Sequence, residues 1–404
     1  MYQTTAVIAG FLLLYTAVSG RVERSWFSGP LSFIGAGLLL GPYGLRLLDV
    51  DLAGGGIRFL AEGTLAMVLF TDAANADFAV VKRNVVIWLR LLLIGLPLTI
   101  VLGFLAGSLI PGLNLLEAAL LATILAPTDA ALGKPVLTNT SIPAALRESL
   151  NLESGLNDGI CVPVIVILLD LAVGTQIEGY APAHIVQVVA EEIGIGLVFG
   201  LAATGCAVAL LRATVKLDWV SEEWVQVPVV ALAALCYAGA QAIGGSGFIA
   251  CFVGGLMVSW LAPRRKHELL KGAESIGETL AMLTWVAFGA IAITQIYGGL
   301  SVSVVLYALL SLTVIRMVPV FLCLIGTRTS AADKLFVGWF GPRGLASIVF
   351  GILVFNQQLP GNDTLQATVM CTVLLSVIAH GVTATPLSRA LGARAGSAGI
   401  GMVA

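Results

Sequence analysis

Seven ionisable residues, Asp72, Arg90, Asp129, Glu153, Asp158, Arg316 and Arg343, sit inside stretches that are otherwise apolar. A charged side chain at the centre of a bilayer costs about 2.5–3.5 kcal/mol on insertion scales, so each needs a partner, a cavity or a task. The densest group is LNLESGLNDG (150–159), with Glu153, Ser154, Asn157 and Asp158. On a helix Ser154 and Asp158 share a face, as do Glu153 and Asn157. Two acids forming one bidentate cage would be three or four residues apart; Glu153 and Asp158 are a turn and a half apart. The spacing argues for different jobs. Asp158 would project to a cavity with Ser154, and Glu153 would need a counter-charge.

A second group is LATILAPTDAALGKPVL (121–137), where an apolar helix runs into Pro127, Thr128 and Asp129, then Gly133 and Pro135. Proline removes a backbone donor and opens a carbonyl in the preceding turn, so the helix should unwind here. Irregular backbone at membrane depth survives only where protein or a cavity satisfies it. Freed carbonyls, the Thr128 hydroxyl and the Asp129 carboxylate would give an oxygen-rich site able to meet Asp158. Alternatively, Asp129 caps the half-helix that follows. A third group, WFGPRGLASIVF (339–350), is a second Gly/Pro-interrupted span and carries Arg343. Paired interrupted segments in the two halves of a transporter point to a midplane binding site, as inverted repeats would place them. One break carries an acid and the other an arginine, as opposed half-helix dipoles require. Arg316, in LSLTVIRMVPV, cannot lose its proton and must pair; Glu153 is matched by Arg316 or by Arg343.

An oxygen set of carboxylates, hydroxyls and carbonyls, without Cys or His, suits a hard cation. Burial favours the protonated carboxyl and a bound cation favours the ionised one. Such a site holds a proton or a cation but not comfortably both, which is the physical core of exchange.

The elements that must position these groups follow from composition. The chain has 404 residues, 58% hydrophobic and 11% charged, with mean hydropathy +0.99; a soluble domain carries about 25% charged residues. Apolar runs long enough to span a bilayer recur throughout, so the fold class is an all-α polytopic membrane protein. We place thirteen spans near 4–20, 28–41, 57–75, 85–110, 115–131, 145–172, 183–211, 224–243, 246–262, 274–297, 300–325, 332–356 and 364–388. With this count Arg21, Arg24, Lys82, Arg83, Lys134, Arg147, Arg212, Lys216, Arg264, Arg265, Lys266, Lys271, Arg328, Lys334, Arg389 and Arg394 fall on one side, and Arg46 and Arg58 on the other. The crowded side is cytoplasmic, which puts the N-terminus outside and the C-terminus inside. PRRKHELLKGAESIGE (263–278) has a helix-compatible charge pattern and is expected as a linker helix along the membrane surface, or as a solvated loop. The Gly/Ala-rich residues 389–404 are expected to form a short flexible cytoplasmic tail.

The formal net charge of −2 and the lack of a basic domain give no footing for nucleic acid. The six cysteines sit singly in apolar stretches and the three histidines have no zinc spacing, so no cofactor is expected. The first twenty residues lack a basic leader region and an A-x-A cleavage site, which fits a retained first helix.

The motifs APTDAALGKPVLTNTSIPAALRESLNLESGLNDGICVPV and WFGPRGLASIVF closely resemble those of prokaryotic sodium/proton antiporters of the cation/proton antiporter-1 family, the NhaP type, related to animal sodium/proton exchangers. The resemblance extends over essentially the whole chain. It implies inverted repeats with two crossed discontinuous helices, a core domain of about 57–172 and 274–388 in part, dimerisation helices of about 1–41 and 183–262 in part, and a homodimer in the cell membrane. By the same resemblance Asp158 is the ion-binding, proton-carrying carboxylate, with Asn157 where electrogenic relatives carry a second aspartate. Thr128, Asp129 and Ser154 would help hold Na⁺ or K⁺, Glu153 would pair with Arg316, and Arg343 would compensate the crossed helix ends. Asp72, in MVLFTDAANAD, would line the cytoplasmic funnel; Arg90 is assigned to packing or snorkelling. The sequence departs from the family pattern in reading T-D-A where many members read T-D-P, and in lacking F-E-G-G near Asp72. No long cytosolic tail of the animal type follows, so regulation through one is not expected.

The implied activity is antiport of Na⁺, with Li⁺ as a further substrate, for H⁺, electroneutral and by alternating access, rather than enzymatic. Exchange of K⁺ for H⁺ is the alternative within the family. A passive cation channel would need rings of charges or filter carbonyls. An intramembrane aspartyl protease would need two carboxylates sharing a proton; it leaves Arg316 and Arg343 unexplained and lacks the G-x-G-D motif.

Overall fold

The computed structural model describes residues 2–22, 28–48, 50, 55–75, 85–129, 132, 136, 139, 142–174, 182–262, 266–327 and 329–400. Among them all regular structure is helical, and helix falls on each of the thirteen expected spans. Seven helices are long and apolar enough to cross a bilayer. In chain order the described helices are α1 (Tyr2–Val22), α2 (Gly29–Leu40), α3 (Gly55–Asn75), α4 (Val85–Gly107), α5 (Leu115–Ile124), α6 (Ala144–Gly174), α7 (Pro182–Lys216), α8 (Val227–Ala242), α9 (Gly247–Leu261), α10 (Lys266–Gly299), α11 (Val302–Leu312), α12 (Val314–Cys323), α13 (Ala331–Trp339), α14 (Leu345–Phe355) and α15 (Asn362–Ile400). Arg24, Lys82, Arg83, Lys134, Arg264, Arg265 and Arg328, used for the orientation, and Gly133 and Pro135 lie outside the described residues.

Local chemistry sets many of the boundaries. Asn114 and Glu117 form a reciprocal capping box at the start of α5, and Ser330 and Asp333 do the same for α13, each satisfying first-turn donors. Inside α4 the turn Leu91–Gly95 widens to π geometry, with the Leu96 N–H reaching back to Leu91. Pro97 follows at once; it has no N–H to give and its ring crowds the turn before it.

Four expectations need correction. The segment from Lys266 is not a separate surface helix: it runs unbroken into α10, whose 34 residues extend about 50 Å at 1.5 Å per residue. The span expected over 300–325 is interrupted at Thr313 (φ −116°, ψ −92°). There the Thr313 hydroxyl donates to the Leu309 carbonyl at 2.6 Å, and so competes with the backbone ladder. The fifth span is helical only to Ile124. The residues after 388, expected to be an irregular tail, continue α15 to Ile400; Ala, Leu and Arg between the glycines are strong helix formers.

The chain divides into two compact units. The first comprises 1–58, 84–157 and 282–404. In it α1 meets α2 through Phe11, Tyr15 and Phe33. α2 and α10 approach at backbone distance: a Cβ on Gly37 would strike the Val286 carbonyl, and one on Gly289 the Ile34 carbonyl. Leu91, Leu146, Leu150, Val320, Phe336, Val337 and Phe340 form a core that seats the C-terminal half of α13. The second unit comprises 59–83 and 158–281. Gly196 and Gly200 of α7 lie against the Ser246 and Ala250 carbonyls of α9, and Gly255 lies against Phe70. Small residues let helices close without a hydrophobic drive between them, so this glycine pair has its partner inside the same chain.

Gly289→Val would push α2 from α10. We expect about 1–3 kcal/mol of lost stability, seen as a lower melting temperature in detergent; an unchanged melting temperature would mean the seam does not bear load.

Candidate functional site

The two interrupted spans of the first unit meet at their breaks. α5 ends at Ile124, and Leu125–Asp129 follow as buried, non-helical backbone. α13 ends at Trp339, and Phe340–Gly344 are likewise non-helical before α14 begins. Each break hands its unpaired groups to the other. The Asp129 N–H donates to the Pro342 carbonyl (2.8 Å). The Leu345 N–H, first in α14, donates to Asp129 Oδ2 (2.7 Å), while Leu132 N–H donates to Oδ1 (3.2 Å). Arg343 Nη1 donates to the Ala126 and Pro127 carbonyls at 2.6 and 3.1 Å, the orphan acceptors at the end of α5. An anion thus sits at a positive helix start and a cation at a negative helix end, both favourable dipole placements.

This geometry accounts for every residue of the G-P-R-G stretch. A Cβ on Gly341 would collide with the Arg316 guanidinium, and one on Gly344 with the Asp129 carboxylate. Both glycines are set by close approach of a charged side chain. Pro342 supplies the carbonyl taken by Asp129, and the Arg343 N–H donates to Ser376 Oγ on α15 (2.7 Å).

α6 brings up the second cluster. Glu153 and Arg316, both 1% exposed, form a two-pronged pair at 2.5 and 2.8 Å. Glu153 is therefore matched by Arg316, and Arg343 is occupied at the α5 carbonyls. Ser154 Oγ lies 2.9 Å from Thr128 Oγ1, and Asn157 Nδ2 donates to the same Thr128 oxygen at 2.8 Å. Because Nδ2 takes that lone pair, Asn157 Oδ1 points elsewhere; it is buried and has no hydrogen-bond partner among the described residues. Asp158 follows Asn157 directly in α6 and is 6% exposed. One turn on, Pro163 lies inside the helix and has no N–H to give the Gly159 carbonyl.

The remaining candidates lie elsewhere. Asp72 is half-buried near the end of α3, in the second unit. Arg90 Nη1 donates to the Cys323 and Ile325 carbonyls at 3.3 and 2.6 Å, capping the end of α12 rather than snorkelling. Three features escaped sequence reasoning. Glu117 is buried, its carboxylate taking the Asn114 and Gly361 N–H groups at 2.8 and 2.7 Å; the N-x-x-E spacing was its signal. Pro163 was visible as a proline in a helix-compatible run. Ser376 and His380 gave no signal beyond their four-residue spacing.

A sequence model of the family described as sodium/hydrogen exchanger, transmembrane, matches residues 8–390. The chain belongs to the sodium/hydrogen exchanger family. Within reach of this family membership, the chain is 24% identical over 406 residues to the K⁺/H⁺ antiporter NhaP2 of Shewanella sp. strain MR-4, covering 95% of this chain. It is 25% identical over 399 residues to the K⁺/H⁺ antiporter NhaP of Alkalimonas amylolytica, and 24% identical over 379 residues to a probable Na⁺/H⁺ antiporter of Schizosaccharomyces pombe. The chain spans 66%, 66% and 49% of these relatives' lengths. Its fold matches that of the sodium/proton antiporter MjNhaP1 of Methanocaldococcus jannaschii with a TM-score of 0.78 at 20% identity, covering 94% of this chain and 98% of that one.

Breaking the Glu153–Arg316 pair strands a buried charge. Glu153→Gln and Arg316→Ala should each cost about 3–5 kcal/mol, and the apolar double change Glu153→Leu with Arg316→Met should recover most of it. Thermal unfolding of the three variants checks this; a double variant as unstable as the singles would deny the pair its balancing role.

Proposed function

We propose that the chain exchanges a monovalent cation for a proton across a cell membrane, with Asp158 binding one or the other in turn. The observation that carries this reading is a buried carboxylate placed directly after Asn157, whose amide is tied into the Thr128–Ser154 hydroxyl pair at a helix break. Burial disfavours a bare carboxylate, and a proton or a cation bound there would offset that cost. The oxygens of Thr128, Ser154 and Asn157 are hard ligands of the kind that replace a cation's water. Asp129 receives one backbone N–H on each oxygen; its remaining lone pairs and its charge would serve the cation with Thr128 and Ser154. Glu153, matched by Arg316, holds the helices rather than carrying the ion. Asp72 lines the funnel.

Asn157 in place of a second acid gives one titrating carboxylate per cycle, which supports electroneutral one-for-one exchange. Na⁺, with Li⁺, is the favoured cation; the names of the Shewanella and Alkalimonas relatives favour K⁺ as the second reading. We further infer a homodimer in the plasma membrane with the N-terminus outside and the C-terminus cytoplasmic. A moving core over about 57–172 and 274–388 against helices of about 1–41 and 183–262 is the division the family resemblance supports. The two packing units cut the chain at other points, after 58, 83, 157 and 281.

Proteoliposomes loaded with a pH-sensitive dye and pulsed with Na⁺, Li⁺ or K⁺ provide the test. The wild type should move protons against the preferred cation with no effect of a clamped membrane potential, and Asp158→Asn should abolish the signal. Normal exchange by Asp158→Asn would remove the assignment, and cation flux without proton movement would favour a channel.

A further inference from the structure

The second break is gripped by one polar face of α15. Ser376, His380 and Thr383 follow one another at helical spacing and take, in turn, the Arg343 N–H (2.7 Å), the Trp339 carbonyl (2.8 Å) and the Trp339 indole N–H (3.0 Å). His380 is 1% exposed, and its ring lies against those of Trp339 and Phe340. The Trp339 carbonyl, last in α13, only accepts, so His380 Nε2 must carry a hydrogen. That leaves Nδ1 as the titrating atom. Nδ1 has two neighbours on the preceding turn: Ser376 Oγ at 3.2 Å and the Ser376 carbonyl at 2.9 Å.

The ring therefore has a partner in both protonation states without moving. Neutral, Nδ1 accepts the Ser376 hydroxyl hydrogen, and the polarised Ser376 oxygen accepts the Arg343 N–H more strongly, because chained hydrogen bonds reinforce one another. Protonated, Nδ1–H donates to the Ser376 carbonyl; the hydroxyl loses its acceptor, turns away, and holds the Arg343 N–H less firmly. The charged groups that face the ring are Arg343 from the break and Arg316 from α12, the latter matched by Glu153. The guanidinium of Arg343 is the group that closes the end of α5, so a proton on His380 is felt at both breaks.

We propose that His380 is a positioning residue for exchange: proton uptake at Nδ1 reverses its bond with Ser376, loosens the backbone of Arg343, and so shapes the pH dependence of transport. This rests on cation/proton exchange at the crossed breaks, but not on which carboxylate carries the ion.

The test is the pH profile of exchange in proteoliposomes, followed from acid to mildly alkaline pH, for the wild type, His380→Gln, Ser376→Ala and Thr383→Val. Glutamine can still donate to the Trp339 carbonyl and accept from Ser376, but it does not titrate. His380→Gln removes the ionisation and Ser376→Ala cuts its link to the Arg343 N–H, so each should displace the midpoint by roughly half a unit or more. Thr383→Val, which loosens the same face without touching the ring, should leave the midpoint in place. A wild-type midpoint in His380→Gln would overturn the proposal, as would an equal displacement in Thr383→Val. If Asp158→Asn exchanges normally while His380→Gln displaces the midpoint, the carrier assignment fails and this one stands.

Discussion

Two helices broken inside a membrane are tolerable only if the broken ends satisfy one another. The Leu125–Asp129 and Phe340–Gly344 segments do this through four backbone-centred contacts, from Asp129 N–H to Pro342, from Leu345 N–H to Asp129, and from Arg343 to Ala126 and Pro127. Orphan donors and acceptors in a dry interior would otherwise cost several kcal/mol each. Everything else in the candidate site hangs on that exchange. Thr128 is presented to Ser154 and Asn157 because its backbone is unwound. α6 can carry Glu153 there because Arg316 threads past Gly341. The face of α15 formed by Ser376 and His380 then clamps the second break from behind.

The arrangement assigns the charges different duties. Asp129 and Arg343 neutralise helix ends, Glu153 and Arg316 neutralise each other, and Glu117 caps two backbone donors of a connection. Asp158 follows Asn157 in α6, beside the Thr128–Ser154 pair that the first break presents.

Much of this was legible in the sequence, and for physical reasons. Apolar runs of membrane length are unambiguous, so the spans could be placed to within a few residues. Proline and glycine beside a charge marked both breaks, because few other sequences tolerate an unwound turn at depth. The rest depended on pairings that no local pattern encodes. Whether Glu153 met Arg316 or Arg343 turned on which arginine the α5 carbonyls claimed. Asp129 could be read as a ligand or as a cap, and its two oxygens turn out to face backbone N–H groups on two separate segments. The break at Thr313 has no proline or glycine to announce it. The helix through 389–400 contradicts an expectation drawn from glycine content alone, since interspersed Ala, Leu and Arg outweighed it.

The claim that the two breaks form one mutually satisfied unit is tested most directly by a double-mutant cycle. Asp129→Asn and Arg343→Gln, alone and together, would be compared by thermal unfolding of the purified protein. If the breaks are one unit, the double variant should be little worse than the more damaging single, leaving a coupling of roughly 0.5–3 kcal/mol. Losses that simply add would contradict it, and would mean that each break is held by its own surroundings.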